Sequence, residues 1–492
     1  MRIWDSVVVG SGPAGVAAIE ALLESEVLLI EAGKDPKDRK PSLSADFRDG
    51  LFEVAPKLRG LDFQDLRRGD SISFLGGRHK RDIRLPLSPG GYSTAWGAQL
   101  FPFSHEDIAE LGDWPISRED LTEAYSWFLS TMNFVGGSEN TESFFGLRGN
   151  ANFEPLPLSR LARGLLARTA SSYTGPLQLG PALLALDRNA KSSDFYSAVG
   201  EEFGSFSPQG MTTAFNRLQR ILPEVSVNFE TRVIHFDEHK SHVDVHVQRT
   251  GLGPELIRTR KLFLGLGTVA TTRLILQNSG QFGRAVPFVE HSPHLLPMFD
   301  PLADHHNEPS KPTFPVMLNG FLDTGPRKPM VAIYNPASAP LKTLAHELRV
   351  SEASLSKLGR DIIQRFAVAQ IWSQTRWDEQ STMVVEKNAV TVRSFYKVNP
   401  KVVGAAAREL RKLGYLAFRM VSKSLGPGWG FHWVGTLPMR EHPKELETFS
   451  DGRLWNSKRV FVIDGSVIPS LPSKNHSLTI MSNAYRVAKG AR

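Results

Sequence analysis

The run Val7-Val8-Val9 leads into Gly10-Ser11-Gly12-Pro13-Ala14-Gly15, and Val27-Leu28-Leu29-Ile30 leads into Glu31-Ala32-Gly33. Between them, Val16, Ile19, Leu22 and Leu23 recur at helical spacing. The pattern predicts a strand, a tight turn, a helix and a second strand ending in an acid. Gly10 permits the turn, Gly12 lets the backbone approach a pyrophosphate, and Gly15 lets the helix lie close to the strand. Unpaired N–H groups of the helix start, with Pro13 and Ala14 in its first turn, face the phosphates. Glu31, followed by Ala32, accepts hydrogen bonds from a ribose. A glycine triplet alone is a weak sign, but with both strands, the helix and the acid in register it predicts a bound dinucleotide rather than a plain turn.

The 492 residues are enough for about two to four domains, and 41% hydrophobic content supplies sizeable cores. A net charge of +7 is spread over small groups such as Arg67-Arg68, His79-Lys80-Arg81 and Arg411-Lys412. That distribution is a solvated surface rather than a nucleic-acid site. The absence of cysteine excludes disulfides, thiolate metal sites and a cysteinyl flavin link. No apolar stretch reaches about 18 residues, so no membrane span is expected. Arg2 and the apolar run to Leu23 resemble a signal peptide, but Asp5 interrupts the run and the glycines are explained by the nucleotide turn. The expectation is a cytoplasmic protein.

After Gly33 the chain is polar and irregular through Asp70. Leu85 to Ala98 then holds Gly90, Gly91, Ser93 and Trp96 without a charged group, which suits a loop whose N–H groups touch a ligand or a plain turn. Ser117 with Asp120 predicts a helix start leading to Tyr125 and Phe128. Residues from about 150 to 205 lack a nucleotide-fold rhythm. Met211 to Ile221 reads as a helix, Val225 to Phe229 as a strand, and Arg232 to Phe236 pairs with Val243 to Val247. Leu262 to Gly267 is a buried strand entering a glycine turn, followed by a helix through Ala270, Leu274 and Ile275. From about 281 to 424, proline joints and stretches such as Ala389 to Val392 predict an antiparallel sheet with helices. Val460 to Gly465 is a strand ending in an acid, before a final helix from Ser477 to Lys489.

These pieces together resemble the glucose-methanol-choline (GMC) oxidoreductases, flavoenzymes that oxidise alcohols. The matching residues are the Gly10 turn with Glu31-Ala32-Gly33, the Gly90-Gly91-x-Ser93-x-x-Trp96-Gly97 loop, Gly265-x-Gly267, His432-x-x-Gly435-Thr436, Val462 to Pro469, and Asn475 to Ile480. The resemblance implies a discontinuous α/β Rossmann-like FAD-binding domain with an α+β substrate domain on an antiparallel sheet. The FAD-binding domain takes 1–145, 206–280 and 425–492, the last with the catalytic residues; 146–205 is a substrate or insertion segment and 281–424 the substrate domain. It implies FAD held by the residues already named together with Val233 near adenine, Gly267, Asp464, Gly465 and Ser477. It also implies His432 as the base that takes the hydroxyl proton while hydride leaves for flavin N5, with Asn475 holding the same oxygen. Asn475 equally suits a cap of the final helix.

Two departures matter. His476 stands where relatives with the asparagine have proline, as a harmless replacement or a competing base. The loop is similar to the pyranose-oxidase-like branch, yet Ala95 occupies the place of its flavin-linked histidine, so FAD is expected to be non-covalent. The expected activity is oxidation of an alcohol, CH–OH, of a sugar, glycoside or polyol, with oxygen or another electron acceptor. The alternatives are a non-redox lyase with structural FAD and a non-catalytic flavoprotein partner. His291-Ser292-Pro293-His294 with Asp300, Asp304, His305 and His306 reads as a polar loop rather than a metal site, because proline breaks the helix that would align the histidines. Trp372, Trp377 and Trp429 read as core fillers rather than sugar-stacking rings.

Overall fold

The computed structural model describes residues 2–35, 37, 71–76, 79–85, 87–137, 155–156, 158–171, 173–186, 212–302, 316–325, 327–334, 351, 365–376, 381–396 and 398–492. The polar stretch after Gly33, Met211, Trp377, Asp304, His305 and His306 lie outside them. The first sheet is built from three remote parts of the chain, in the order Ser226–Asn228, Val27–Ile30, Ile3–Val9, Pro254–Leu264, Val243–Arg249 and Thr231–Glu238. The first four strands are parallel, and Val460–Val462 joins them along the end of Pro254–Leu264. Val7, Val8, Leu29, Leu262 and Leu264 are fully buried, as expected of parallel strands covered on both faces. Register puts Val9 opposite both Ile30 and Leu264, and Leu264 opposite Val462. Four strands therefore end along one edge, where open α/β sheets bind their ligands.

The region from 281 onward forms two sheets rather than one. One runs His432–Val434, Ala285–His291, Ser381–Val385, Val390–Arg393, Ser71–Gly76 and His79–Arg84. The other joins His294–Phe299, Phe366–Trp372, Met330–Tyr334, Val316–Leu322 and Leu177–Pro181, with the short strands Leu416–Ala417 and Lys423–Ser424 at its edge. The corner Ser292-Pro293 passes the chain from one to the other, so His291 and His294 belong to strands, not to the polar loop expected. Helices Arg160–Ser171 and Pro400–Lys412 bury Leu161, Leu165, Val403 and Leu410 against the second of these sheets. The hairpin at 71–84 and the strand at 177–181 enter from outside the 281–424 span because short strands carry their partners' identity in register, not in local pattern.

Helix starts follow local chemistry. Ser117 and Asp120 bond reciprocally, at 2.8 Å and 3.1 Å, and a single turn Glu119–Leu121 runs into the helix Thr122–Thr131. Thr213 caps Ala214–Ile221, and the last helix spans Ser477–Gly490. Among the described residues, no helix is long and apolar enough to cross a membrane.

Candidate active site

The four strand ends open into a cleft of about 610 Å³ lined by the turns that follow them. Gly10 has φ +92°, a conformation that favours glycine, and a Cβ there would meet the Gly265 carbonyl oxygen at 2.7 Å. A Cβ on Gly15 would sit 1.8 Å from the Gly10 carbonyl oxygen, so Gly15 serves the packing of helix Pro13–Leu22 on its strand. Gly12 differs: no protein atom lies within 4 Å of its missing Cβ, and it lines the cleft with Pro13 and Ala14. Open volume of the cleft stands above Gly12.

Glu31 is buried and lines the cleft, but its carboxylate fastens two turns. It accepts from the Ser11 amide at 3.0 Å, the Ser11 hydroxyl at 2.5 Å and the Gly33 amide at 2.6 Å. Ser11 Oγ accepts in turn from the Gly90 amide at 3.1 Å, which ties the first turn to the second glycine loop. Gly91, φ +53°, reaches the cleft beside Gly12. Ser93 does not: its hydroxyl donates to the Gly90 carbonyl and accepts from the Ala214 amide, at 2.7 Å and 2.9 Å. Trp96 also lies off the cleft wall; it packs on the core, and its buried indole N–H has no protein partner.

Val233 and Ala32 line the cleft, Val233 next to an irregularity in the hairpin register between Val233 and His235. Gly267, Asp464 and Gly465 close the remaining side. Asp464 accepts from the Gly267 amide at 2.9 Å, the Ser466 amide at 3.0 Å, the Ser466 hydroxyl at 2.6 Å and the Thr271 hydroxyl. Burial raises its carboxyl above the usual range, against the pull of these donors. A Cβ on Gly465 would fall 2.8 Å from the Trp433 carbonyl, the same oxygen that accepts from Thr268 at 2.6 Å. The late glycine turn and the strand of His432 are thus packed against one helix, Thr268–Asn278.

That strand, His432–Val434, alternates. Phe431 and Trp433 face the cleft and pack on Tyr92, at ring separations of 5.3 Å and 5.8 Å. His432 turns the other way and is half-buried. It stacks on Trp372 at 4.9 Å, lies 4.8 Å from the His476 ring, and its Nδ1 is 3.4 Å from His291 Nδ1. Trp372 is buried in the core, as expected, and stacks on His432 from there, while Trp429 stacks under the Arg81 guanidinium. Three imidazoles meet behind the cleft wall, and only His476 also lines the cleft, with Ser477 beside it. Burial pulls both His291 and His476 down to about 3, so both are neutral at ordinary pH. Asn475 is half-buried and off the cleft wall; among the described residues neither its Oδ1 nor His476 Nδ1 has a hydrogen-bond partner. His476, not Asn475, directly precedes the final helix, and no side chain caps it.

Sequence reasoning missed His291 and Lys474. The buried Lys474 ammonium pairs with Asp107, which anchors Asn475 and His476 to the helix His105–Ala109. His291 carries no local sign, because its place beside His432 comes from antiparallel pairing of the two strands.

The GMC oxidoreductase family matches residues 367–484, a span that contains His432, Asp464 and Asn475. A curated relative, an uncharacterised GMC-type oxidoreductase y4nJ of Sinorhizobium fredii, is 42% identical over 60 residues, 12% of this chain and 12% of that protein. Pyridoxine 4-oxidase from Mesorbium loti superposes with a TM-score of 0.65 at 14% identity, covering 99% of each chain. A formate oxidase of Aspergillus oryzae RIB40, studied for FAD modification, gives 0.63 at 11% identity, covering 100% of this chain and 98% of that one. The two superpositions establish a shared fold from end to end, and the family match falls on the segment that supplies His432, the Asp464 turn and the final helix. Residues 367–484 therefore carry the match to the GMC oxidoreductases, within a chain whose fold is shared with both oxidases.

Proposed function

We propose that the chain is an FAD-dependent oxidoreductase that oxidises an alcohol, CH–OH, of a sugar, glycoside or polyol, and holds FAD without a covalent link. The carrying observation is the meeting of His432, His291 and His476 directly behind a cleft lined by glycine-rich turns. The donor set fits FAD. Open space stands above Gly12, the helix start beneath it offers N–H groups, and Asn475 Oδ1 and His476 Nδ1 lack protein partners. Gly12 to Ala14 hold the pyrophosphate, Glu31 the ribose, Thr231 to Val233 the adenine side, and Asp464 and Gly465 the opposite side. When bound, FAD supplies the acceptor for the hydride of the alcohol carbon.

The protein's own part is the proton. His432 takes it from the alcohol hydroxyl as the hydride departs, so one ring nitrogen must carry a lone pair. In the bond between the two Nδ1 atoms one donates and the other accepts. Donation from His432 Nδ1–H leaves its Nε2 as the proton acceptor. It also requires His291 to carry its proton on Nε2, a buried nitrogen with no hydrogen-bond partner among the described residues. His476, held neutral with a pKa of about 3, is a poor proton acceptor and serves as a hydrogen-bonding wall of the cleft. Asn475 holds the substrate oxygen.

The test is anaerobic mixing of the FAD-loaded protein with a panel of alcohols, read as loss of flavin absorbance. Bleaching marks oxidation; turnover without bleaching marks the lyase alternative, and neither marks a non-catalytic flavoprotein. His432→Ala is expected to keep its flavin and slow bleaching by about 10²- to 10⁴-fold. If His476→Ala is far more damaging at equal flavin content, the base is misassigned.

A further inference from the structure

The hairpin of Thr231–Glu238 and Val243–Arg249 carries a pattern that the cleft does not use. From His235 to His246 the chain reads His-x-Asp-x-His-x-x-His-x-Asp-x-His, the same in both directions. Alternate strand residues share a face, and the register sets His235 opposite His246 and Asp237 opposite Asp244. His239 and His242 close the pattern at the tip, where the His239 amide donates to the His242 carbonyl at 2.8 Å.

The two halves of the pattern differ in geometry. His235 and His246 lie 3.0 Å and 2.9 Å from the oxygens of Asp237, ordinary hydrogen-bond distances. At the tip, His239 Nε2 and His242 Nε2 stand 3.3 Å and 3.4 Å from the oxygens of Asp244. All three donor groups lie within 4.8 Å of one another. Tetrahedral coordination with bonds of about 2.0–2.1 Å sets neighbouring donors about 3.3–3.4 Å apart. The first trio is a pair of hydrogen bonds; in the second, each imidazole stands from its own carboxylate oxygen at the separation that tetrahedral coordination sets, and the three donor groups gather within 4.8 Å. Arg258 holds Asp244 from the adjacent strand, at 2.7 Å and 3.1 Å. A carboxylate has about four acceptor sites, so the two that Arg258 takes leave others for an ion. Such an outer partner is what fixes a ligating carboxylate in place.

We propose that His239, His242 and Asp244 bind one divalent transition-metal ion of the zinc type, with solvent in the fourth position. Two imidazoles and a carboxylate select this class over calcium or magnesium, which prefer all-oxygen shells. The ion closes the turn between the strands. It lies at the hairpin tip, where the Lys240 carbonyl accepts from Arg459 at 2.8 Å, and it plays no part in the flavin chemistry proposed above.

Equilibrium dialysis of the tag-free, full-length holoprotein against Zn²⁺ tests this. The expected result is one saturable equivalent, weakened at least about tenfold in His239→Ala/His242→Ala and kept in His235→Ala/His246→Ala. Circular dichroism of both double variants checks that the fold is intact, and His239 is exposed, so its loss strips no core. Equal uptake by the tip variant and the unaltered protein overturns the site. So does the absence of saturable uptake at millimolar zinc.

Discussion

Gly12 and Gly15, three residues apart in one turn, are glycine for opposite reasons, and substitution separates them. Gly15→Ala drives a methyl into the Gly10 carbonyl, at a built separation of 1.8 Å, with no flexible side chain to yield. The helix must move off its strand, a cost of at least about 1–3 kcal/mol. Gly12→Val meets no protein atom within 4 Å. Its direct cost is about 1 kcal/mol, since glycine is tolerated at a helix N-cap and a branched apolar residue is not. Its branched side chain nevertheless occupies the volume assigned to the pyrophosphate. Gly12→Val is expected to fold and lose its flavin, whereas Gly15→Ala loses stability first. Flavin absorbance per chain, set beside the thermal midpoint, distinguishes the two. A folded Gly12→Val protein with full flavin content would remove that turn from the site.

At the scale of elements, the segment holding Asn475 and His476 depends on an ion pair formed across 367 residues of sequence. Lys474 is 1% exposed, and burial lowers its ammonium pKa against the opposing pull of Asp107. Asp107 also closes the capping box of the helix His105–Ala109 by accepting from the Ser104 amide at 2.7 Å. Asp107→Ala removes the ion-pair partner of a buried ammonium and is expected to cost up to about 3–5 kcal/mol, measured by urea unfolding. Adding Lys474→Met should recover part of that loss, because the buried charge goes with it. The same pair shows what a sequence reveals. Turns that need glycine, such as Gly10 to Gly15 and Gly265 to Gly267, are contiguous and were legible, as were the apolar strands feeding them. His291 reads as loop and Lys474 carries no local sign of its burial, since their surroundings are supplied by remote strands and helices. Ser93 shows the reverse: a hydroxyl in a ligand-like loop is spent on Gly90 and Ala214, a use that only the packed fold displays.

For the molecule as a whole, buried titratable groups set the pH range of stability, His291, His476 and Glu290 among them. His291 and His476 fall to about 3 in the fold from about 6.5 in the open chain. Between those values the unfolded state binds more protons, so stability rises with pH by up to about 2.7 kcal/mol per unit for the pair. Glu290, buried beside His291, rises to about 7 from about 4.3, chiefly through desolvation. There the folded state binds the extra proton, and stability falls with pH by up to about 1.4 kcal/mol per unit. From about pH 4.5 to 6.5 the two histidines outweigh Glu290, with His294, lowered by burial, adding to them and Asp464, raised by burial, opposing them. Above about 6.5 the contribution of His291 and His476 is complete, while Glu290 still lowers stability until it ionises. Asp244, whose carboxyl is held low by Arg258, acts only below about pH 4, outside this window. The urea midpoint at fixed flavin loading is therefore expected to peak near pH 6.5. Glu290→Gln keeps an acceptor for the Gly428 amide, now bonded at 2.8 Å, while removing the titration. It should steepen the acid limb and lessen the decline above the peak. A Glu290→Gln curve that merely runs parallel to the unaltered one would show that this carboxyl is not protonated in the fold, and that the decline has another source.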